Sequence, residues 1–135
     1  SFMNMFVDVN VVMYAAGGPH PHKEPSTRLL RRVAQGELEV VSDTEVLQEQ
    51  LYRYWHLKIL EQGVALVEHV VRLIPTILPV AKPDVLLART LLTQHRALEP
   101  RDAIHAAVMF NHGITQLYSY DHHFDLIPGL RRLEP

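Results

Sequence analysis

The chain predicts a three-layer α/β fold, with helices on both faces of a central parallel sheet of about five strands. Three observations carry that expectation. Short apolar runs alternate with helical patterns along the chain, the order that builds parallel strand–helix–strand units. The 135 residues suffice for one hydrophobic core without staples, so a single domain over residues 3–135 is expected. Acidic residues also stand at the carboxyl ends of two apolar runs, where open α/β sheets bind ligands.

Composition narrows the function classes. There are no cysteines, which removes disulfides, thiolate metal sites and cysteine nucleophiles together. With 15 acidic against 13 basic residues, the net charge of −2 argues against binding nucleic acid through a general basic field, though not against meeting it locally. No apolar run approaches the roughly 20 residues that span a bilayer, and the start lacks a basic region followed by an apolar one. A soluble, cytoplasmic protein is expected, with Ser1-Phe2 ahead of Met3 read as a cloning remnant.

Taken in order, Met5 to Val9 gives a buried first strand ending near Asp8, and Asn10, a good N-cap residue, starts a short helix. An acid inside a buried strand is costly unless it is compensated. Asp8 therefore either accepts N–H bonds from the helix start or belongs to a site. Residues 17–22 form a Gly/Pro loop whose His20 and His22 are expected in solvent. A helix over 24–35 turns Leu29, Leu30, Val33 and Ala34 inward, and Gly36 ends it before a second strand over 38–41.

Ser42-Asp-Thr-Glu45 has the capping-box pattern for a helix start, followed by a stripe of Val46, Leu47, Leu51, Tyr54 and Trp55. Glu49 lies one turn further in, where it either pairs with Arg53 for about 0.2–0.5 kcal/mol or serves a site. Gly63 is expected to separate this helix from another ending about Leu73, and residues 74–80 supply a short Pro-marked strand. Pro83 then opens a helix with Val85, Leu86, Ala88, Leu91 and Leu92 towards the core.

Pro100 and Gly113 bracket a helix of roughly 100–112, with Ala103, Ile104, Ala107, Val108 and Asn111 along one stripe and Asp102 in the first turn. Residues 114–118 follow as a strand, Ser119-Tyr120-Asp121 stands at its carboxyl end, and 130–133 closes the sheet as an edge strand.

Four acids, Asp8, Glu49, Asp102 and Asp121, thus stand where the sheet can bring them together, with Asp125 a fifth candidate. Several carboxylates that close cannot all ionise cheaply without a cation. The expected partner is a hard divalent ion, Mg²⁺ or Mn²⁺, on oxygen ligands.

These residues resemble the PIN-domain ribonucleases, particularly the small VapC-type toxins. The resemblance covers Met5 to Pro135 and rests on Asp8-Val9-Asn10 after an apolar strand, Thr44-Glu-Val-Leu-Gln-Glu49, Asp102-Ala-Ile-His-Ala-Ala107, and Ser119-Tyr-Asp-His-His-Phe124 followed by Asp125. It implies metal-dependent hydrolysis of an RNA phosphodiester, leaving 5′-phosphate and 3′-hydroxyl ends. Asp8, Asp102 and Asp121 would be metal ligands, and Glu49 would complete the site or orient the attacking water. Asn10 and Ser119 would support them, and an antitoxin protein would be the partner. Asp125 has a varying role in the family. His122 and His123 flank Asp121 as outward loop residues or as contacts to phosphate or metal. Apolar helix faces within 43–73 fit a homodimer interface and fit core packing equally well.

Three alternatives remain. A PIN nuclease of RNA processing would carry the same residues, and a PIN-like interaction module would have lost an acid, which this chain has not. A haloacid-dehalogenase-like phosphatase would normally carry Asp where Asn10 stands and an acidic pair late in the chain.

Overall fold

A computed structural model describes residues 4–135, so the expected remnant Ser1-Phe2 lies outside the described residues. Five strands, β1 (Met5–Val7), β2 (Val40–Asp43), β3 (Thr76–Leu78), β4 (Gln116–Tyr118) and β5 (Arg131–Leu133), form one parallel sheet in the order β3-β2-β1-β4-β5. Helices α1 (Val9–Ala16), α2 (Lys23–Ala34), α3 (Thr44–His56), α4 (Leu60–Leu73), α5 (Lys82–Gln94) and α6 (Pro100–Asn111) connect them, with a 3-10 turn at His122–Leu126. The three-layer α/β expectation holds. None of these helices is long and apolar enough to cross a membrane.

Alternation along β1 builds the layers. Phe6 packs on one face with Val46, Ala103, Ala107, Met109, Leu117 and Phe124, while Met5 and Val7 pack on the other with Val11, Val12, Leu29, Val70 and Ile74. β1 lies between β2 and β4, so the chain departs from it in opposite directions. The crevice at that switch point, outside the carboxyl ends, receives whatever follows β1 and β4.

Several local expectations change. Asp8, not Asn10, caps α1, accepting 2.8 Å from the Val9 N–H. Asp43, not Ser42, caps α3, accepting from the Val46 N–H at 3.0 Å, because Ser42 is still in β2 and its hydroxyl donates to the Val7 carbonyl. Gly63 does not break a helix but lies inside α4. A Cβ there would come within 2.6 Å of the Tyr54 Cβ, so glycine is what lets α3 and α4 approach. The break falls earlier, where Lys58 takes a positive φ of 62°.

The expected inward stripes are also narrower than the patterns suggest. Leu51 and Trp55 on α3, and Val85 and Leu86 on α5, are exposed, leaving Ala88 and Leu91 to bury α5. By contrast α6 is covered nearly all round, from Asp102 to Met109 except for half-buried Ile104. His20 and His22 do not merely project into solvent. His22 stacks on Tyr120 with ring centres 3.8 Å apart, and His20 packs against Tyr14.

Candidate active site

Each acid arrives by a different local rule. Asp8 follows β1 and caps α1 with one oxygen; its other oxygen accepts from the Ser119 hydroxyl at 2.7 Å and the Asn10 amide at 3.3 Å. Ser119, at the end of β4, also accepts the Asp121 N–H at 2.9 Å, and the Asn10 carbonyl oxygen receives the Tyr120 N–H at 3.2 Å. Asn10 and Ser119 therefore tie the β1 and β4 ends together and fix the acids that follow each strand. Glu49 comes from the second turn of α3, and Asp102 from the first turn of α6, where it accepts from the Glu99 N–H. Asp8, Glu49, Asp102 and Asp121 all line one cleft of about 810 Å³, together with Asn10, Glu45 and Arg101.

One half of this cleft contains a cation that the sequence reading did not anticipate. His105 is buried, and its two ring nitrogens face two carboxylates: Nδ1 lies 2.8 Å from Asp43 and Nε2 2.5 Å from Glu49, with Asp8 at 3.8 Å. An imidazole flanked by carboxylates on both sides must donate from both nitrogens, which only the charged form can do. Burial opposes that charge, but Asp43, Glu49 and Asp8 outweigh it and hold His105 well above the ordinary histidine range. His105 thus answers the charge of the acids around it. Asp43 is buried too, using one oxygen to cap the helix that carries Glu49 and the other to hold the imidazole. Glu49 does not pair with Arg53; its second oxygen faces Arg101 at 3.9 Å, and Arg101 also reaches Glu99 at 3.0 Å.

The other half has less compensation. Asp102 and Asp121 each place a carboxylate oxygen within 4.8 Å of the other and of His123. Burial, then the Asp121 charge and a shared hydrogen bond, push the Asp102 carboxyl up from 3.8 to about 7. Burial likewise raises Asp8, against the lowering effect of His105 and the Ser119 hydroxyl. A group of carboxyls that retains a proton at neutral pH has a donor set suited to a hard divalent ion in that proton's place. The residues present therefore fit such an ion: Asp8, Glu49 and His105 form one group, and Asp102, Asp121 and His123 another, in which the potential ligand atoms lie within 4.8 Å of one another.

The residues flanking Asp121 divide. His123 lies 2.7 Å from Asp121, whereas His122 turns away to accept from Arg132. Asp125 is not drawn into the cleft. Arg132 grips it at 3.0 Å and holds its carboxyl below the usual range, while donating to the Ser119 carbonyl at 3.0 Å and to Glu134. That grip braces the loop bearing Asp121 from behind.

Two signals for the missed pair were present. Asp43 stands between an apolar run and a helix, a position favoured by capping residues, and His105 is three residues after Asp102, hence on a neighbouring part of the same helix face.

Comparison with known proteins agrees with this geometry. The PIN domain family profile matches residues 5–130. Ribonuclease VapC13 of Mycobacterium tuberculosis is 40% identical over 129 residues, covering 96% of this chain and 98% of that protein. The crystal structure of VapC20 from Mycobacterium tuberculosis, described as a sarcin-ricin loop cleaving toxin, is similar with a TM-score of 0.79 at 22% identity, covering 98% of this chain and 100% of that one. VapBC2 from Rickettsia felis, solved bound to a DNA fragment from its promoter, gives 0.75 at 19% identity over 98% of each chain. At those identities the two structural likenesses establish the fold.

Proposed function

The chain belongs to the PIN domain family, among the VapC ribonucleases, and from that premise we propose that residues 3–135 are a single-domain, divalent-metal-dependent endoribonuclease acting as the toxin of a toxin–antitoxin pair. The observation that carries the reading is the convergence of Asp8, Glu49, Asp102 and Asp121, from four separate segments, on one cleft at the switch point of the sheet. Relatives named as ribonucleases support the activity, and a related VapBC complex supports the antitoxin partner. A cytoplasmic setting, where RNA and antitoxin would be met, belongs to the same reading.

Asp8, Asp102 and Asp121 would hold Mg²⁺ or Mn²⁺, with Asn10 and Ser119 keeping Asp8 and the Asp121 backbone in place. When bound, such an ion lowers the pKa of water and offsets charge on the phosphoryl transition state. Glu49, anchored through one oxygen by His105, orients the attacking water with the other. The water oxygen would bond to phosphorus and release a proton as the bond to the 3′ oxygen breaks, and the 3′ oxygen would take up a proton, so that the proton count is unchanged. The products carry 5′-phosphate and 3′-hydroxyl ends. A homodimer is part of the proposal, supported by Leu51, Trp55, Leu60, Val64 and Val71, which leave an apolar face of α3 and α4 exposed.

The test is cleavage of mixed structured and single-stranded RNAs with Mg²⁺, Mn²⁺ or EDTA, comparing the parent with Asp8→Asn. Cutting that needs the metal and disappears in the variant is the expected result. A parent that neither cuts RNA nor binds Mn²⁺ by calorimetry would leave only the interaction-module reading.

A further inference from the structure

The acidic cleft continues beyond the four acids along α3. Glu45, Glu49, Tyr52 and His56 recur every three to four residues, so one face of the helix carries them all, and all four line the cleft. Tyr52 and His56 follow Glu49 by about 4.5 and 10.5 Å along the helix axis. Their rings are nearly parallel, at 12°, with centres 6.1 Å apart, and Tyr52 is 56% exposed. Arg53, also in the wall and exposed, has no ion-pair partner among the described residues, and Arg101 stands opposite at the border of the acids. The adjoining stripe of α3 carries Leu51 and Trp55, and the Trp55 ring lies tilted beside Tyr52 with centres 5.9 Å apart.

The exposed aromatic Tyr52 and the exposed Arg53 are not spent on the hydrophobic core. They do match a single-stranded nucleic acid, whose base offers a π-face to an aromatic ring and whose phosphate seeks a guanidinium. A duplex hides those faces in its own stack. Resting on the ribonuclease reading above, we propose that the α3 wall of the cleft is a substrate subsite: Tyr52, backed by His56, stacks a base of unpaired RNA next to the scissile phosphate, and Arg53 contacts the adjoining phosphate. This arrangement draws the strand past Glu49 along α3 and selects unpaired RNA.

The test is fluorescence anisotropy of a short, fluorescein-labelled single-stranded oligoribonucleotide of mixed sequence. It is titrated with protein in Mn²⁺ on an Asp8→Asn background, which stops cleavage. Tyr52→Ala weakens binding by about 5- to 150-fold, while Tyr52→Phe, which keeps the ring, binds like the background. Arg53→Ala lowers the salt dependence by about 0.7 in the slope of log affinity against log salt. Light scattering on the same samples leaves the mass of Tyr52→Ala unchanged. Background-like affinity for Tyr52→Ala overturns the subsite while leaving the ribonuclease intact. A fall in mass together with the loss assigns the wall to a contact between protein chains and overturns it equally. Absence of binding by every variant, with a parent inactive on RNA, overturns the ribonuclease reading itself.

Discussion

The two halves of the acidic cleft solve the same electrostatic problem differently. Around Glu49 the fold supplies its own cation: His105 sits between Glu49 and Asp43, and the buried negative charge is answered from within. Around Asp102 and Asp121 the nearest imidazole is His123, half-exposed and 3.9 Å from Asp102, and the Asp102 carboxyl answers the strain by holding a proton up to about pH 7. The first half is a finished internal structure. The second keeps its carboxylates close together with less internal compensation, a donor set suited to a hard divalent ion. Glu49 is held in place by His105, a contact that needs no ion.

The comparison breaks most sharply at His105. His105→Ala leaves the carboxylates of Asp43 and Glu49 buried without their cation, and should cost about 3–5 kcal/mol of stability, read by denaturant unfolding. A loss smaller than about 1 kcal/mol would mean the imidazole is not supplying the charge. Next in size is Asp102→Asn, which should lower metal-dependent cleavage by more than the 10- to 100-fold typical of outer-shell partners. It should leave the melting temperature of the metal-free protein unchanged or higher, since it removes a crowded charge. A loss of stability in His105→Ala without one in Asp102→Asn would set the two halves apart.

The same comparison can be read in the pH dependence of the metal-free protein. Asp102 titrates at 3.8 in its ordinary state and about 7 when folded. Between those values the folded form keeps a proton that the unfolded chain has released, so stability falls as pH rises through that window. Asp8 is shifted in the same direction. His105 is raised above its ordinary 6.5, so its contribution is complete below 6.5 and is lost at higher pH, as the folded imidazolium finally deprotonates. Thermal melts should show a decline as pH rises across this range, and Asp102→Asn should lessen its lower part while leaving the contributions of Asp8 and His105. Adding Mn²⁺ should flatten the lower part, because the ion replaces the proton.

Much of this molecule is legible in its residues. Apolar runs, capping signals and the bracket of Pro100 and Gly113 determine the alternating elements, and the acids after two of the runs point to one end of the sheet. Local chemistry suffices for these because each depends on neighbours within a turn or a strand. Boundaries slipped where two residues competed for one role: Asp43 and Ser42 both suit a cap, and only the extension of β2 through Asp43 turns Ser42 to the Val7 carbonyl instead.

Other features depend on residues far apart. Gly63 reads as a helix break in isolation, and only the close approach of α3, through Tyr54, makes it a packing residue. Asp125 matches the acids of the site in type and order, yet Arg132, seven positions away, draws it to the outer side of the loop. His105 looks like one more residue of an apolar helix until α3 and β2 bring Glu49 and Asp43 to its two nitrogens. The sequence by itself determined which groups were available and roughly at which end of the sheet they would gather. Tertiary structure alone decided which carboxylates received an internal cation, because charge compensation in a buried site depends on distances of a few Å between segments the chain keeps dozens of residues apart.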